Sequence, residues 1–136
     1  MSNKRISLEA KEILQGLFQG STQQSKALRG SKSLAESDLI AVFSEITNRL
    51  NIEEDLREKG KLNVLLVKFC QLHPILITEY CAFMENAAES TIMPASVPNL
   101  IILTKDTPFK STADLILAKW SKSSNKMLAK AANDKL

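Results

Sequence analysis

Glycine and proline are scarce, four of each in 136 residues. That is too few for the closely spaced turns of a β-sandwich or barrel, so helices are expected. Histidine occurs once, at His73, and cysteine twice, at Cys70 and Cys81. Those three cannot supply the ligand spacing of a zinc site, and no metal or cofactor is expected. No glycine-rich phosphate loop, Walker sequence or dinucleotide fingerprint is present. Uninterrupted hydrophobic runs are also missing. The most apolar stretch, residues 62–88, is broken by Lys68, Gln71, His73, Pro74 and Glu79, which argues against a membrane span. Lys4 and Arg5 are followed by an amphipathic segment and not by an apolar run, so no secretory signal is expected. Cys70 and Cys81 both fall in the apolar stretch and read as buried free thiols. That suits an intracellular, reducing compartment.

Catalytic groupings are equally thin. A lone histidine before a proline reads as a helix-junction residue, because a general base needs a partner and a substrate within reach. Glu53, Glu54 and Asp55 are adjacent and point different ways around a helix, so they do not form a carboxylate pair. The two cysteines lack the basic, exposed setting that lowers a thiol pKa. No catalytic residue is expected, and the chain is read as a non-enzyme.

What remains is ordinary in amount and specific in pattern. Apolar residues make up 44 % and charged residues 24 %, the balance of a globular domain with one core. The stretch 62–88 carries the densest apolar periodicity: Leu62, Leu65, Leu66, Phe69 and Leu72, then Ile75, Leu76, Tyr80, Phe83, Met84 and Ala87. Val64, Val67, Ile77 and Cys81 lie off those stripes, so both helices must be covered over most of their circumference. Proline suits a first helical turn and bars the residue before it from the helical region. Two helices should therefore meet at His73-Pro74. The fold expected is all-α, one compact bundle of five to seven helices with a basic C-terminal helix.

The segments divide as follows. Residues 1–19 hold an amphipathic helix with Ile6, Ala10, Ile13, Leu14, Leu17 and Phe18 on one side, capped by Ser7. Residues 20–33, rich in serine and glutamine, read as a flexible basic linker. Residues 34–136 hold the bundle core and a basic tail. Within them, Ser33 to Glu36 matches a capping box ahead of a helix bearing Leu39, Val42, Phe43, Ile46 and Leu50. A short helix, residues 52–59, is expected after Asn51 and should end at Gly60. Residues 90–110 read as a long irregular connection. Asn99 to Thr104 is its one strand-like run, and without a partner strand it should form a helical turn or a buried extended segment. Ser111 or Thr112 should cap a helix with Leu115, Ile116, Lys119 and Trp120 along one side.

Charge is unevenly placed. Residues 1–33 carry a net +4, residues 34–60 −4, residues 61–103 −1 and residues 104–136 +4. Basic ends can meet the acidic segment or an external polyanion. On one continuous helix Lys119, Lys122, Lys126 and Lys130 would share a face. Lys122, Lys126 and Lys130, with Lys26, Arg29 and Lys32, are thus candidate polyanion contacts.

Two pieces resemble a known family. Residues 50–60, Leu-Asn-Ile-Glu-Glu-Asp-Leu-Arg-Glu-Lys-Gly, precede an apolar helix ending at His73-Pro74. Residues 113–122, Ala-Asp-Leu-Ile-Leu-Ala-Lys-Trp-Ser-Lys, close with a leucine–lysine–tryptophan cluster. Both are similar to the leucine–tryptophan helical-bundle domain at the N-terminus of transcription elongation factor S-II. The match covers about half of the chain, and residues 74–110 depart from the family's pattern. The resemblance implies a bundle that binds peptides of transcription factors, with Lys119, Trp120 and Lys122 as partner-binding candidates. Three functions stay open at this level: a protein-interaction module tied to transcription elongation, a small basic-ended nucleic-acid-associated protein, and a subunit of a larger assembly, including a homo-oligomer, docking through residues 90–110.

Overall fold

The computed structural model describes residues 7–136. Ile6, expected on the first helical stripe, lies outside the described residues, as do Lys4 and Arg5. Among the described residues there are eight α-helices and no strand: α1 (Leu8–Leu17), α2 (Ser21–Gly30), α3 (Glu36–Ile52), α4 (Leu56–Leu72), α5 (Ile77–Asn86), α6 (Ser96–Thr104), α7 (Lys110–Trp120) and α8 (Lys126–Asn133). Two 3₁₀ turns, Ser31–Ser33 and Pro74–Leu76, join α2 to α3 and α4 to α5. The class is the expected one, with one helix more than the upper expectation. No single helix among the described residues is long and apolar enough to cross a membrane.

The extra helix is α2, where the sequence suggested a flexible linker. Its polar residues face outward, and the narrow strip Ala27 and Leu28 is buried against the bundle. Serine and glutamine do not forbid a helix; they only leave it little to bury, and this one is held by close packing on α1. Ser7 caps α1 as expected, its Oγ accepting from the Ala10 amide at 3.1 Å. The same hydroxyl donates to the Asp38 carboxylate at 2.7 Å, fixing α1 to the first turn of α3. One buried cluster includes Ala10 and Leu17 of α1, Ala27 of α2, and Leu128 and Ala132 of α8, so residues 7–33 share the core of residues 34–136.

Helix boundaries depart from expectation around residue 55. Helix α3 continues through Ile52, and the short helix capped by Asn51 does not form. Asp55 is the cap instead, its carboxylate accepting from the amides of Arg57 at 2.9 Å and Glu58 at 3.2 Å. Three acidic residues in a row favour a helix start, and Asp55 rather than Asn51 is the one placed to take the amides. Gly60 therefore lies inside α4, not past the end of a helix. The capping box at residues 33–36 is also unused: Ala35 is the cap of α3, and the Ser33 hydroxyl turns back to the Gly30 carbonyl at 3.0 Å.

The break at His73-Pro74 is as expected, and the chain turns by 117° between Leu56–Leu72 and Pro74–Asn86. Leu65, Leu66, Phe69, Leu76, Tyr80 and Met84 from this pair are all buried. Residues 90–110 are more ordered than expected. Asn99 to Thr104 forms most of α6, with Leu100 and Leu103 buried, which settles the strand-like run as helical. The segment before α6 is pinned to α3 and α4. Buried Lys59 donates its ammonium to the Ser90 carbonyl, and the Thr91 hydroxyl donates to the Asn51 side-chain oxygen at 3.2 Å. Helix α7 starts at Lys110, ahead of the expected caps Ser111 and Thr112, with Thr107 Oγ1 accepting from the Phe109 amide at 3.1 Å. Its buried side is Ala113, Ile116, Leu117 and Trp120, whereas Leu115, expected on that side, is 70 % exposed.

Candidate functional site

Helix α4 carries five charged residues among its seventeen, and its apolar side is covered by α3, α6 and the turn Pro74–Leu76. The corner between α1 and α2 approaches another side. An open groove of about 810 Å³ is left between that corner and the first half of α4. Leu17, Phe18, Leu62, Val64 and Leu65 line it with apolar surface; Gln19, Ser21, Gln24, Arg57, Glu58 and Lys61 give it a polar rim. Gly60 forms part of the wall, and a Cβ added there would meet no atom within 4 Å. Val64 is 53 % exposed, unusual for a valine in the middle of a core helix.

Charge at the groove is mainly positive. Arg49 of α3 lies over the Phe18 ring, its guanidinium carbon 3.7 Å from the ring centroid, a cation–π arrangement that steadies one wall. Arg57 has no ion-pair partner among the described residues, while Lys61 pairs with Glu58 at 3.3 Å across exposed surface. Such exposed pairs contribute little and break easily. Neither Phe18 nor Gly60 was singled out as a site residue from sequence. The signal available was Val64, which falls off the main stripe of α4 and was read only as needing cover.

The residues singled out from sequence lie elsewhere: Lys119, Trp120 and Lys122 share one small hollow, and the polyanion candidates are spread over α2, the turn after it, the turn after α7, and α8. Trp120 is buried, 4 % exposed, on the inner face of α7 with Ala113, Ile116 and Leu117. Lys119 donates to the Glu85 carbonyl at 2.7 Å and so closes the C-terminal end of α5. With Lys122, Glu89 and Ile92 these residues line a hollow of about 110 Å³, much smaller than the groove beside α4. Glu89 spans this corner, accepting from the Ser123 hydroxyl and from the Ser124 amide at 3.1 Å. Those bonds, Ser123 first, hold its carboxyl below the usual carboxylate range.

The lysine row expected along one tail helix is divided. Lys119 lies in the last turn of α7, Lys122 sits in the turn that follows, and only Lys126 and Lys130 belong to α8. Lys130 pairs with Asp134 at 3.3 Å. Lys26 and Arg29 are exposed on α2, and Lys32 is exposed in the 3₁₀ turn after it. The continuous face that the spacing offered is therefore absent.

His73 and Ser31 form a buried hydrogen bond of 2.8 Å between Nε2 and Oγ. The Ser31 hydroxyl also donates to the Leu28 carbonyl at 2.6 Å, so Nε2 of His73 carries the proton and donates to Ser31. Ser31 is fully buried and cannot meet a substrate. Burial first, and the charge of Lys32 second, lower the His73 pKa below its ordinary value. Cys70 and Cys81 are free and buried, and burial pushes both thiols upward, away from the thiolate. Tyr80 is buried between the helices, and its hydroxyl has no hydrogen-bond partner among the described residues. Among the described residues no group of three or more His, Cys, Asp or Glu side chains could hold a metal ion.

No family model, curated protein or solved structure matches this chain.

Proposed function

We propose that this chain is a non-enzymatic helical interaction module, which receives a segment of a partner protein in the groove between the α1–α2 corner and α4. One observation carries the reading: the middle of a core helix, with Gly60 and half-exposed Val64, is left uncovered beside an apolar groove of about 810 Å³. Concave apolar surface with a few polar groups at its edge is the usual form of a binding site. The narrower reading, a part in transcription elongation, rests on the resemblance of residues 50–60 and 113–122 to the elongation factor S-II domain. On this reading the partner surface differs from the one carried over from that resemblance, since Trp120 is taken up by the core and Lys119 by the Glu85 carbonyl.

Gly60 supplies the test. A Cβ there meets no atom within 4 Å, and Gly60 lines the groove, so a bulky tryptophan at this position is chosen to obstruct it. Random-sequence peptides displayed on phage and selected on the wild-type chain should lose binding to Gly60→Trp and keep binding to Lys122→Gln. Selected peptides that bind Gly60→Trp as well as wild type would place the binding surface elsewhere.

A further inference from the structure

The groove reading leaves the chemistry of the occupant open, and the exposed face of α4 narrows it. Leu56, Gly60 and Val64 follow spacings of four along α4 and share one side of it, while Val67, next on that line, is partly buried against the core. The first three form a short stripe on which a further helix can lie. Leu56 and Val64 on this stripe are 72 % and 53 % exposed, and Gly60 permits close approach of a second backbone. The two flanks of the stripe are unlike. One flank, Lys59, Asn63 and Cys70, is buried in the bundle. The other is Arg57, Lys61 and Lys68, all exposed.

Of this row only Lys61 has an ion-pair partner, Glu58, in an exposed pair that a competing carboxylate can displace. The Asp55 carboxylate is held by the Arg57 and Glu58 amides, and that of Glu53 by the Asp55 amide at 3.2 Å. Arg57 and Lys68 have no ion-pair partner among the described residues.

Resting on the groove reading, we infer that the occupant is an amphipathic helix of another protein that lays an apolar seam on Leu56, Gly60 and Val64 and sets a row of carboxylates against Arg57, Lys61 and Lys68. A second copy of this chain does not fit seam to seam. Packed antiparallel, the two basic rows would face each other, and like charges across a seam oppose pairing. Packed parallel, each basic row would meet the flank of Lys59, Asn63 and Cys70, which holds no acid.

Three synthetic three-heptad helices test the inference by fluorescence anisotropy against the intact chain. The first has a leucine seam and glutamate flanks, the second the same seam with lysine flanks, the third glutamate flanks with serine in the seam. The glutamate–leucine helix should bind about tenfold more tightly than the lysine–leucine helix, the sum of three exposed charge pairs. The serine-seam helix should not bind. Reversing Arg57, Lys61 and Lys68 together to glutamate should invert the order of the first two helices, with circular dichroism unchanged because all three are on the surface.

Equal binding of both leucine helices, each lost in Gly60→Trp, would overturn the carboxylate row and leave the groove as a peptide site. Failure of all three helices, with phage-selected peptides still blocked by Gly60→Trp, would overturn the helical occupant alone. Failure of all three, with those peptides indifferent to Gly60→Trp, would overturn the groove reading along with it. Sedimentation of the chain alone as a dimer, lost on Val64→Glu, would put a second copy in the groove against the inference.

Discussion

Gly16 on α1 and Ala27 on α2 stand so close that a Cβ added to Gly16 would fall 2.9 Å from the Ala27 Cβ and 3.3 Å from the Gln23 carbonyl oxygen. This near-contact of two backbones lets α2, with only Ala27 and Leu28 to bury, seat on the bundle at all. It also sets the position of the α1–α2 corner, and through it the width of the groove.

Gly16→Ala should accordingly destabilise. The gain in helix propensity, up to about 1 kcal/mol, is outweighed by an overpacking cost of roughly 1–3 kcal/mol. Gly60→Ala should do the opposite, stabilising by about 0.5–1 kcal/mol, because its Cβ meets open space inside a helix. Urea denaturation of both variants checks the pair. A stabilised Gly16→Ala would mean that α1 and α2 are not in close contact.

Trp120 makes the second test. It is 4 % exposed and belongs to the buried core, so Trp120→Ala should cost about 3–5 kcal/mol. For a chain of this size the melting temperature should fall by roughly 10 °C or more. A fall within about 2 °C would mean an exposed tryptophan, of the kind found at binding hot spots.

Stability should depend on pH through His73. Its folded pKa lies below the ordinary value because burial, and then Lys32, disfavour the charged ring. The unfolded chain then binds the proton more readily. The stability present above the ordinary histidine pKa of about 6.5 should be lost as pH falls below it and toward the lower folded value. Protonation would leave the added charge in a buried site next to Ser31 and Lys32. Comparing wild type with His73→Gln between pH 7.5 and about 5.5, above the main carboxylate titrations, isolates this part. If the two lose stability in parallel, His73 has no part in it.

The divided lysine row predicts little affinity for nucleic acid. Wild type and the triple replacement of Lys122, Lys126 and Lys130 by glutamine should bind random duplex DNA equally weakly, with Kd above about 10⁻⁴ M at physiological salt. A steep salt dependence in wild type that flattens by roughly two to three units in the triple variant would favour a polyanion site in the tail.

Much of the fold was legible because its signals are local. The stripe through Leu65, Leu66 and Phe69, the break at His73-Pro74 and the cap at Ser7 each depend on residues a few positions apart. Helix α2 was not legible, since its order comes from the approach of Ala27 to Gly16 and from the buried Ser31–His73 bond, which spans 42 positions. Asp55 outcompeting Asn51 as a cap likewise depends on where α3 stops. The groove was hidden for the same reason. Spacing showed that Val64 lies off the main stripe of α4, but only the packing of α1 and α2 decides whether a neighbour covers it. The tail lysines misled in the reverse sense, because their spacing assumed a continuous helix that the turn at residues 121–125 interrupts.

The most direct test of the groove as a binding site is hydrogen exchange on the intact chain, with and without a peptide selected on it. Amide protection should increase at residues 18–24 and 57–65, on the two sides of the groove, and the increase should vanish in Gly60→Trp. Protection gained instead at residues 119–130, with Gly60→Trp behaving as wild type, would contradict the account and return the binding surface to the tail.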